Sequence, residues 1–418
     1  MNLASRLEKS LPKNQLSILH LIADEAAHRG LTLYAAGGLP RDLLLNRLTR
    51  DLDLVIEGDA IPFARSLSRH HGGRVTTHPA FHTATWFLPP RLTRDTGALG
   101  TLDLISSRSE TYAHPAALPT VKLGDINDDL RRRDFTLNAM AIRLDGTHFG
   151  ELLDPHNGQT DLERKWIRVL HPASFVDDPT RMFRAVRYPS RLGFRLAPET
   201  LDLIPAALAH VDKLSPERLR HELDLILEEE HSAPMLASLA ELSLLSSVNP
   251  IIPSFDSSRE KFLGHIPPVE FGVDADSLAL AYSLWFMDLS EAAASTLAKR
   301  LDFTAALTKT VLSATRLTHD LPAWNGLKPS EWTERLDKLS PLAIYAVYLV
   351  QRKTQLADYL KTWRHIKPSV SGEDLKKLDI SPGPAYKRIL SILRAAWLDG
   401  EVTNEREEKK MLEELIKQ

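Results

Sequence analysis

The sequence contains no cysteine and no long apolar run. Without a thiol among its 418 residues, the chain can form neither a disulfide framework nor a zinc site with cysteine ligands. Residues 1–16 are charged and lack the apolar segment of a secretion signal, and no later run approaches the ~20 apolar residues of a membrane span. We therefore expect a soluble, cytoplasmic protein that has no membrane partner.

An excess of charge of one sign is also missing. The formal net charge is −3 at pH 7, and a hydrophobic share of 43% with a charged share of 26% is ordinary for a globular protein. The total charge does not indicate a nucleic-acid binder, so any such surface must be a local patch. The length allows about three domains.

The most specific pattern lies between Ala35 and Glu57. In a strand through this stretch, Asp51 and Asp53 share one face, while the apolar residues between and after them share the other. Two carboxylates held side by side are costly unless a positive charge lies between them, and Mg²⁺ commonly takes one or two carboxylates together with substrate phosphates. We therefore predict a metal site at Asp51 and Asp53.

A glycine pair and an arginine precede these aspartates. Gly37 and Gly38 would let backbone amides approach a phosphate, and Arg41 would offer it a planar fork of donors. An Asp-x-Asp pair alone usually marks a solvated strand end or a helix cap. Its position shortly after the glycines and Arg41 favours phosphate and metal chemistry.

The first 145 residues alternate helical and extended patterns, which predicts an α/β head. Helical spacing covers residues 15–29 and 60–71, and strand patterns cover residues 74–77, 83–88 and 102–106. Asp103, on the last of these strands, faces away from its leucine neighbours. It could be a third carboxylate beside the metal pair, acting as base or outer-shell support. A solvated strand-end aspartate is the alternative.

Two polar segments follow. Residues 107–124 contain two prolines, so we expect a long irregular loop, and loops of this length are usually functional or mobile. Residues 131–133 are three arginines beside the apolar Phe135 and Met140. A pocket rim that grips a triphosphate or a ribose explains this placement, and a structural salt-bridge cluster is the alternative.

From Asp177 onward the pattern predicts a helix with a basic stripe. Asp177 or Asp178 would cap it, with Pro179 in the first turn, and Pro189 should kink or end it. Asp178 and Arg181 together offer an acceptor and a planar donor that can match a base edge, with a surface ion pair as the alternative. At ~100° per residue, one sector of about 120° holds Arg181, Arg184, Arg187, Arg191 and Arg195.

With these motifs the sequence resembles the class II tRNA nucleotidyltransferases (CCA-adding enzymes) and the bacterial poly(A) polymerases. The similarity is specific over residues 30–230. The matching stretches are residues 37–42 with 51–53 (metal and triphosphate motif), 130–141 (second nucleotide motif), 153–161 (connector), 178–181 (base-selecting motif) and 217–223 (closing neck motif).

The resemblance implies an α+β fold, in which a small nucleotidyltransferase-type mixed-sheet head precedes all-α neck, body and tail domains. The implied bounds are 1–145, 146–230, 231–325 and 326–418. The implied reaction is template-independent addition of CMP and AMP to the 3′ end of tRNA, from CTP and ATP, with two Mg²⁺ ions. Body and tail would hold the tRNA acceptor arm and its 3′ end.

The resemblance also implies roles for site residues. Asp51 and Asp53 would hold the two ions and be catalytic, with Asp103 as the candidate third carboxylate. The nucleotide would be bound by Gly38, Arg41, Arg133, Asp178, Arg181, Arg184 and Arg187.

Alternatives to this implied function stay open. An A-adding or CC-adding specialist is the first, followed by a poly(A) polymerase, and an inactive RNA-binding relative is the third. Segment 107–124 is similar to a flexible loop kept in CCA- and A-adding members, and residues 70–87 lack the basic, Phe-containing run of the poly(A) polymerases. Both points favour a tRNA-directed enzyme that can add adenosine. Asp51, Asp53 and Arg133 argue against an inactive relative.

Overall fold

The computed structural model describes residues 1–47, 52–93, 100–378, 380 and 383–417. The chain divides into two units, Met1–Leu214 and Ser215–Gln418. The first unit combines a sheet with helices, and the second is helical. The predicted metal ligand Asp51 lies outside the described residues.

A mixed sheet of seven described strands forms the centre of the first unit. The strands of this unit are β1 Thr32–Ala36, β2 Asp53–Glu57, β3 Arg74–His78, β4 Thr83–Phe87, β5 Thr101–Ser106, β6 Arg108–Thr111, β7 Thr120–Leu123, β8 Ala141–Arg143, β9 Leu152–Leu153, β10 Trp166–Ile167 and β11 Arg195–Leu196. The seven-stranded sheet has the order β3-β4-β5-β2-β1-β8-β9, and only β2 and β5 run parallel within it. Strands β6 and β7 form a separate antiparallel pair, and β10 and β11 a short parallel pair.

Helices cover the sheet and continue to the end of the unit. They are α1 Ala4–Ser10, α2 Lys13–His28, α3 Gly38–Leu44, α4 Ala60–His71, α5 Pro90–Thr93, α6 Ile126–Arg131, α7 Gly158–Arg164, α8 Ser174–Asp177, α9 Thr180–Leu192, α10 Pro198–Leu201 and α11 Ile204–Ala207. The helix predicted at residues 60–71 is confirmed as α4, whose first turn is capped by the Asp59 carboxylate. The helix predicted at 15–29 is confirmed as α2.

Strand β2 is buried on both faces, and this positions the site. Leu54 and Ile56 belong to the large core that includes α2 and α4, whereas Val55 packs on the other face with Ile126 and Leu130 of α6. The alternation predicted from the sequence is therefore confirmed for the described part of the strand. It leaves Asp53, at the strand start, on the face that α6 covers.

The prediction of an irregular loop at residues 107–124 is wrong. Strands β6 and β7 pair over four residues each, from Arg108 opposite Leu123 to Thr111 opposite Thr120. The two prolines lie in the connection between the strands, where a missing N–H does not interrupt pairing. The pair is anchored at its base, because the Ser107 hydroxyl donates to the carbonyl of Gly124 at 2.6 Å.

Pro189 was expected to kink or end helix α9, and the second of these alternatives is wrong. The helix continues through Pro189 to Leu192 and ends at Gly193, which has a left-handed backbone. Pro189 cannot donate an N–H, but its carbonyl accepts from the amides of Gly193 and Phe194 at 2.9 and 3.0 Å. Arg191 therefore stays on the helix, whereas Arg195 lies in β11.

The second unit consists of helices among its described residues. They are α12 Pro216–Leu227, α13 Ser232–Glu241, α14 Leu244–Val248, α15 Ser277–Phe286, α16 Glu291–Arg300, α17 Ala305–Asp320, α18 Pro329–Leu336, α19 Pro341–Gln351, α20 Thr354–Lys361, α21 Gly372–Lys377, α22 Pro384–Leu398 and α23 Glu405–Ile416. Helices α15, α17 and α19 supply much of its main core, and a smaller core joins α21, α22 and α23.

These features confirm the predicted class, a mixed-sheet head followed by helices. The finer division into neck, body and tail stays a prediction. No helix in the described part of the chain is both long and apolar enough to cross a membrane.

Candidate active site

A cavity of about 540 Å³ opens in the first unit, a size within the usual range for small-molecule sites. Its walls come from the turn before α3, the start of β2, the β6 strand, the segment after α6, and helix α9. The lining residues are Gly37, Gly38, Arg41, Asp42, Asp53, Glu110, Tyr112, Arg132, Arg133, Asp134, Asn138, Asp178, Arg181, Arg184, Tyr188 and Arg191. Six arginines and five carboxylates face one space, which therefore suits a ligand with strongly charged groups.

The turn at Gly37 brings three parts of the cavity together. Its φ of +82° lies in the left-handed region, which side chains other than glycine adopt at a cost. A Cβ atom there would lie 2.5 Å from Nη1 of Arg133 and 3.9 Å from Oδ2 of Asp53. Glycine thus allows the backbone to lie directly against an arginine and an aspartate.

Replacing Gly37 by alanine should therefore weaken binding of the nucleotide predicted for this cavity, as well as stability. The left-handed backbone would cost ~1–2 kcal/mol, and the new methyl group would displace the Arg133 guanidinium. We expect a lower melting temperature and a raised KM for nucleotide. Gly146→Ala is the matched control, because Gly146 also has a positive φ but has no atom within 4 Å of its added Cβ. Equal kinetic effects of the two variants would contradict the role of this close approach.

Arg41 lines the cavity but is held by other protein groups. It is 8% exposed, and its guanidinium donates to Asp42 at 2.8 and 3.1 Å and to Oδ1 of Asn138 at 2.8 Å. The Tyr188 ring lies 5.7 Å from its guanidinium carbon. Burial lowers the pKa of Arg41, but the hydrogen bonds and charge of Asp42 more than offset this, so that the pKa is raised overall. Its predicted contact with phosphate stays a prediction.

Asp53 is the described carboxylate best placed for a metal ion. It stands at the start of β2, lines the cavity and is paired in register with Asp103 of the parallel strand β5. Paired residues of neighbouring strands point to the same face, so Asp103 shares the face of Asp53 as predicted. Asp103 accepts a hydrogen bond from the Thr85 hydroxyl at 2.6 Å and is not among the described residues that line the cavity.

The donor set fits Mg²⁺ in the way this ion is usually bound. Among the described residues, no three His, Asp or Glu side chains lie close enough to form a complete metal cage. Mg²⁺ commonly needs only one or two carboxylates, because substrate phosphates and water complete its shell. Asp53 with its hard oxygens satisfies that requirement, and the position of the second predicted ligand, Asp51, lies outside the described residues. The metal assignment stays a prediction.

One buried carboxylate holds the two arginines of the opposite wall. Oδ1 of Asp129 accepts from Nε and Nη2 of Arg132 at 2.9 and 2.6 Å, and Oδ2 accepts from Nε and Nη2 of Arg133 at 3.2 and 2.9 Å. Burial raises the pKa of Asp129, but the charges and hydrogen bonds of the two arginines outweigh it and hold the pKa below its ordinary value. Arg133, a predicted nucleotide ligand, therefore faces the cavity in a fixed orientation.

The start of helix α9 contributes Asp178 and Arg181, and the structure brings both to the cavity. Oδ1 of Asp178 accepts from the amide and hydroxyl of Thr180 at 3.0 and 2.6 Å, which confirms that it caps the helix. Arg181 is 4% exposed, and its Nη1 donates to the Ser174 hydroxyl and its Nη2 to the carbonyl of Arg132, both at 2.7 Å. Neighbouring protein groups thus hold both side chains in place, and their role in base reading stays a prediction.

The rest of the arginine stripe divides between the cavity and the interior. Arg184 lines the cavity, with its Nη1 at 3.7 Å from Oδ2 of Asp134, and Arg191 lines it as well. Arg187 is not among the described lining residues. Its guanidinium carbon lies 6.0 Å from the Tyr188 ring, and the side chain is buried. The structure therefore does not bring Arg187 to the cavity, and its predicted role stays untested.

Sequence reasoning missed several lining residues. Glu110 accepts hydrogen bonds from Tyr112 and Arg132 at 3.1 and 3.3 Å, and both Glu110 and Tyr112 come from the segment expected to be irregular. The alternation around Thr120–Leu123 is the signal that could have indicated a strand pair. Asn138 donates to Asp134 at 2.9 Å, a contact four residues apart that sequence patterns do not specify.

Two family models match the chain. One, described as the poly A polymerase head domain, matches residues 33–168, and the other, described as the probable RNA and SrmB-binding site of polymerase A, matches residues 193–255. The first range carries every lining residue from the glycine turn to Asn138, so the cavity lies mostly within the matched head. The head fold and these models define a nucleotidyltransferase.

Relatives of known function show which nucleotidyltransferases this chain is similar to. The A-adding tRNA nucleotidyltransferase of Halalkalibacterium halodurans is 32% identical over 97% of this chain and 94% of the relative. That of Geobacter sulfurreducens is 31% identical over 97% of this chain and 47% of the relative. The CC-adding enzyme of H. halodurans is 32% identical over 58% of this chain and 56% of the relative. The chain belongs to the tRNA nucleotidyltransferase family, which confirms the resemblance and its enzyme class.

Solved structures agree with this assignment. An apo CCA-adding enzyme superposes with a TM-score of 0.81 at 27% identity, covering 99% of both chains. The Thermotoga maritima CCA-adding enzyme complexed with tRNA superposes with a TM-score of 0.75 at 26% identity, and the match covers 100% of this chain and 98% of that one. A CCA-adding enzyme complexed with ATP superposes with a TM-score of 0.79 at 26% identity, and the match covers 100% of this chain and 98% of that one.

Proposed function

We propose that the protein adds CMP and AMP to the 3′ end of tRNA, with CTP and ATP as substrates. The observation that supports this best is that one cavity unites Asp53 and the Gly37 turn with Arg133, Asp178 and Arg181. The residues proposed to bind phosphate and those proposed to read the base thus line one cavity of about 540 Å³, a size that suits a single small molecule. The solved complexes of related CCA-adding enzymes with tRNA and with ATP are consistent with these substrates.

The head supplies the chemistry of transfer. Asp51 and Asp53 would hold two Mg²⁺ ions, whose charge, when they are bound, favours the ionised RNA 3′-hydroxyl and the leaving pyrophosphate. Gly38 and Arg41 would position the phosphates, and Arg133 would contact the phosphates or the ribose. Asp103, on the same sheet face as Asp53, stays the candidate for an outer-shell or base role.

Helix α9 would select the base. Asp178 offers an acceptor and Arg181 a fork of donors, and both are fixed by neighbours before any nucleotide arrives. A cytosine or adenine edge would match the acceptor and the donors that this wall offers, whereas guanine or uracil would mismatch them at a cost of ~1–3 kcal/mol. Arg184 and Arg191 line the same wall, and we propose that Arg184 also contacts the nucleotide.

An A-adding specialist is the second candidate, and a specific observation favours it over a CC-adding one. The A-adding enzyme of H. halodurans is covered over 94% of its length, whereas the CC-adding enzyme of the same organism is covered over 56%. Similarity to an A-adding enzyme along nearly its whole length supports addition of the terminal adenosine alone.

A single set of incorporation assays tests these functions. Purified protein is incubated with Mg²⁺ and with tRNA transcripts that end before CCA, after the first C, or after CC, each with one labelled nucleotide. Full CCA addition predicts incorporation of C into the first two RNAs and of A into the third. An A-adding specialist would use only the third, and a poly(A) polymerase would extend unrelated RNA with many adenosines. No Mg²⁺-dependent incorporation would indicate an inactive RNA-binding relative.

A further inference from the structure

Asp129 is a buried acid whose position the proposed reaction leaves unexplained. It lies in helix α6, is 0% exposed, and is not among the described residues that line the cavity. Each of its two carboxylate oxygens accepts two N–H groups from a different arginine, Arg132 or Arg133, at 2.6–3.2 Å. One acid therefore serves two adjacent cations, which would otherwise repel each other.

Although the two guanidinium groups bind the same acid, their remaining nitrogens contact different parts of the protein. The remaining nitrogen of Arg133, Nη1, lies against the Gly37 turn, 2.5 Å from where a Cβ would stand. The remaining nitrogen of Arg132, Nη1, donates to Oε1 of Glu110 at 3.3 Å on the β6 side. The two arginines are neighbours in sequence, but Arg133 reaches the glycine turn and Arg132 reaches strand β6.

The backbone of Arg132 extends this arrangement to the base-selecting helix. Its carbonyl accepts from Nη2 of Arg181 at 2.7 Å. The arginine pair held by Asp129 therefore contacts the glycine turn on one side and Arg181 on the other. A shift of the pair would disturb the phosphate end and the base end together.

We infer that Asp129 is a positioning residue for nucleotide binding, which acts through Arg132 and Arg133 and does not touch the nucleotide itself. The inference rests on the proposed function, because it takes the cavity to be the nucleotide site. An ionised carboxylate is needed for this role, since an amide has a single acceptor oxygen and cannot receive both guanidinium forks.

The test uses the full chain with Asp129→Asn, and Asp128→Asn as the matched control on the same helix. Asp128 is half-buried and accepts from the Asp125 amide, which an asparagine oxygen can also do. Steady-state incorporation should show a KM for nucleotide raised about tenfold or more in Asp129→Asn, with kcat within about threefold of wild type. Asp128→Asn should match wild type in both values.

A second variant makes the result independent of folding. Arg133→Lys keeps the charge but cannot present a guanidinium fork to Asp129, so its KM should rise as in Asp129→Asn, and a cooperative melting transition shows that the variant is folded. The double variant Asp129→Asn/Arg133→Lys should be no worse than the more affected single variant, because both changes remove one interaction. If Asp129→Asn fails to fold, an unchanged KM in Arg133→Lys overturns the inference by itself.

Other outcomes also decide the matter. An unchanged KM in folded Asp129→Asn, or fully additive effects in the double variant, would overturn the positioning role. If wild type incorporates no nucleotide into any RNA, the proposed function fails instead. Calorimetric titration with CTP and with ATP then still tests Asp129, since its variant should bind them at least about tenfold more weakly.

Discussion

Asp53→Asn should lower the rate of nucleotide addition by about 10³-fold or more, which corresponds to on the order of 4 kcal/mol of transition-state stabilisation. Asp53 stands at the cavity end of a strand that is buried on both faces, so the substitution removes charge without moving the backbone. The amide is a poorer ligand for Mg²⁺ than a carboxylate. The measurement is single-turnover incorporation at saturating nucleotide and tRNA.

Binding measurements separate this loss from a general defect. The affinity of Asp53→Asn for tRNA should stay within about threefold of wild type, because this carboxylate contributes to transfer and not to the grip on RNA. Asp59→Asn is the matched control, since Asp59 only caps helix α4 and asparagine caps equally well. Full activity of Asp53→Asn, or equal losses in both variants, would refute the metal assignment.

Asp178→Asn should reduce the preference for CTP and ATP over GTP and UTP by about 10- to 100-fold, as expected when one matched hydrogen bond worth ~1–3 kcal/mol becomes a mismatch. The side-chain oxygen that accepts from the Thr180 amide and hydroxyl is kept, so the helix cap survives. The other carboxylate oxygen becomes an amide that donates. The ratio of kcat/KM for the four nucleotides measures the effect.

Two further variants sharpen this result. Asp178→Ala should relax the nucleotide choice as well, but it also loses the cap and about 1 kcal/mol of stability. Asp177→Asn changes the neighbouring carboxylate, which is not among the described lining residues, and should leave the preference unaltered. An unchanged preference in Asp178→Asn would show that helix α9 does not read the base through this residue.

The residues predicted correctly from the sequence are those whose role follows from a local pattern. The alternation in β2 fixes the face of Asp53, and the Asp178 cap follows from the Asp-Pro that begins helix α9. Helix α4 was predictable because its apolar spacing ends at a glycine pair. Such features need only neighbouring residues.

The features that could not be predicted depend on contacts between distant parts of the chain. Glu110 reaches the cavity because β6 pairs with β7, and it meets Arg132, which is 22 residues away in sequence. Asp129 lies only three and four residues before Arg132 and Arg133, and a salt-bridge cluster was the open alternative for these arginines, but the burial of the acid depends on the fold around α6.

The lining of the cavity spans residues 37–191 and uses strands that pair across long stretches of chain. Strand β1 can pair with β8 only after β8 has been synthesised. Helix α9, which forms one wall of the cavity, is synthesised later still. A nascent chain released from the ribosome before that helix therefore exposes acidic and arginine side chains with no completed site. Such a chain lacks Asp178, Arg181 and Arg184, and with them the proposed base-selecting wall of the cavity.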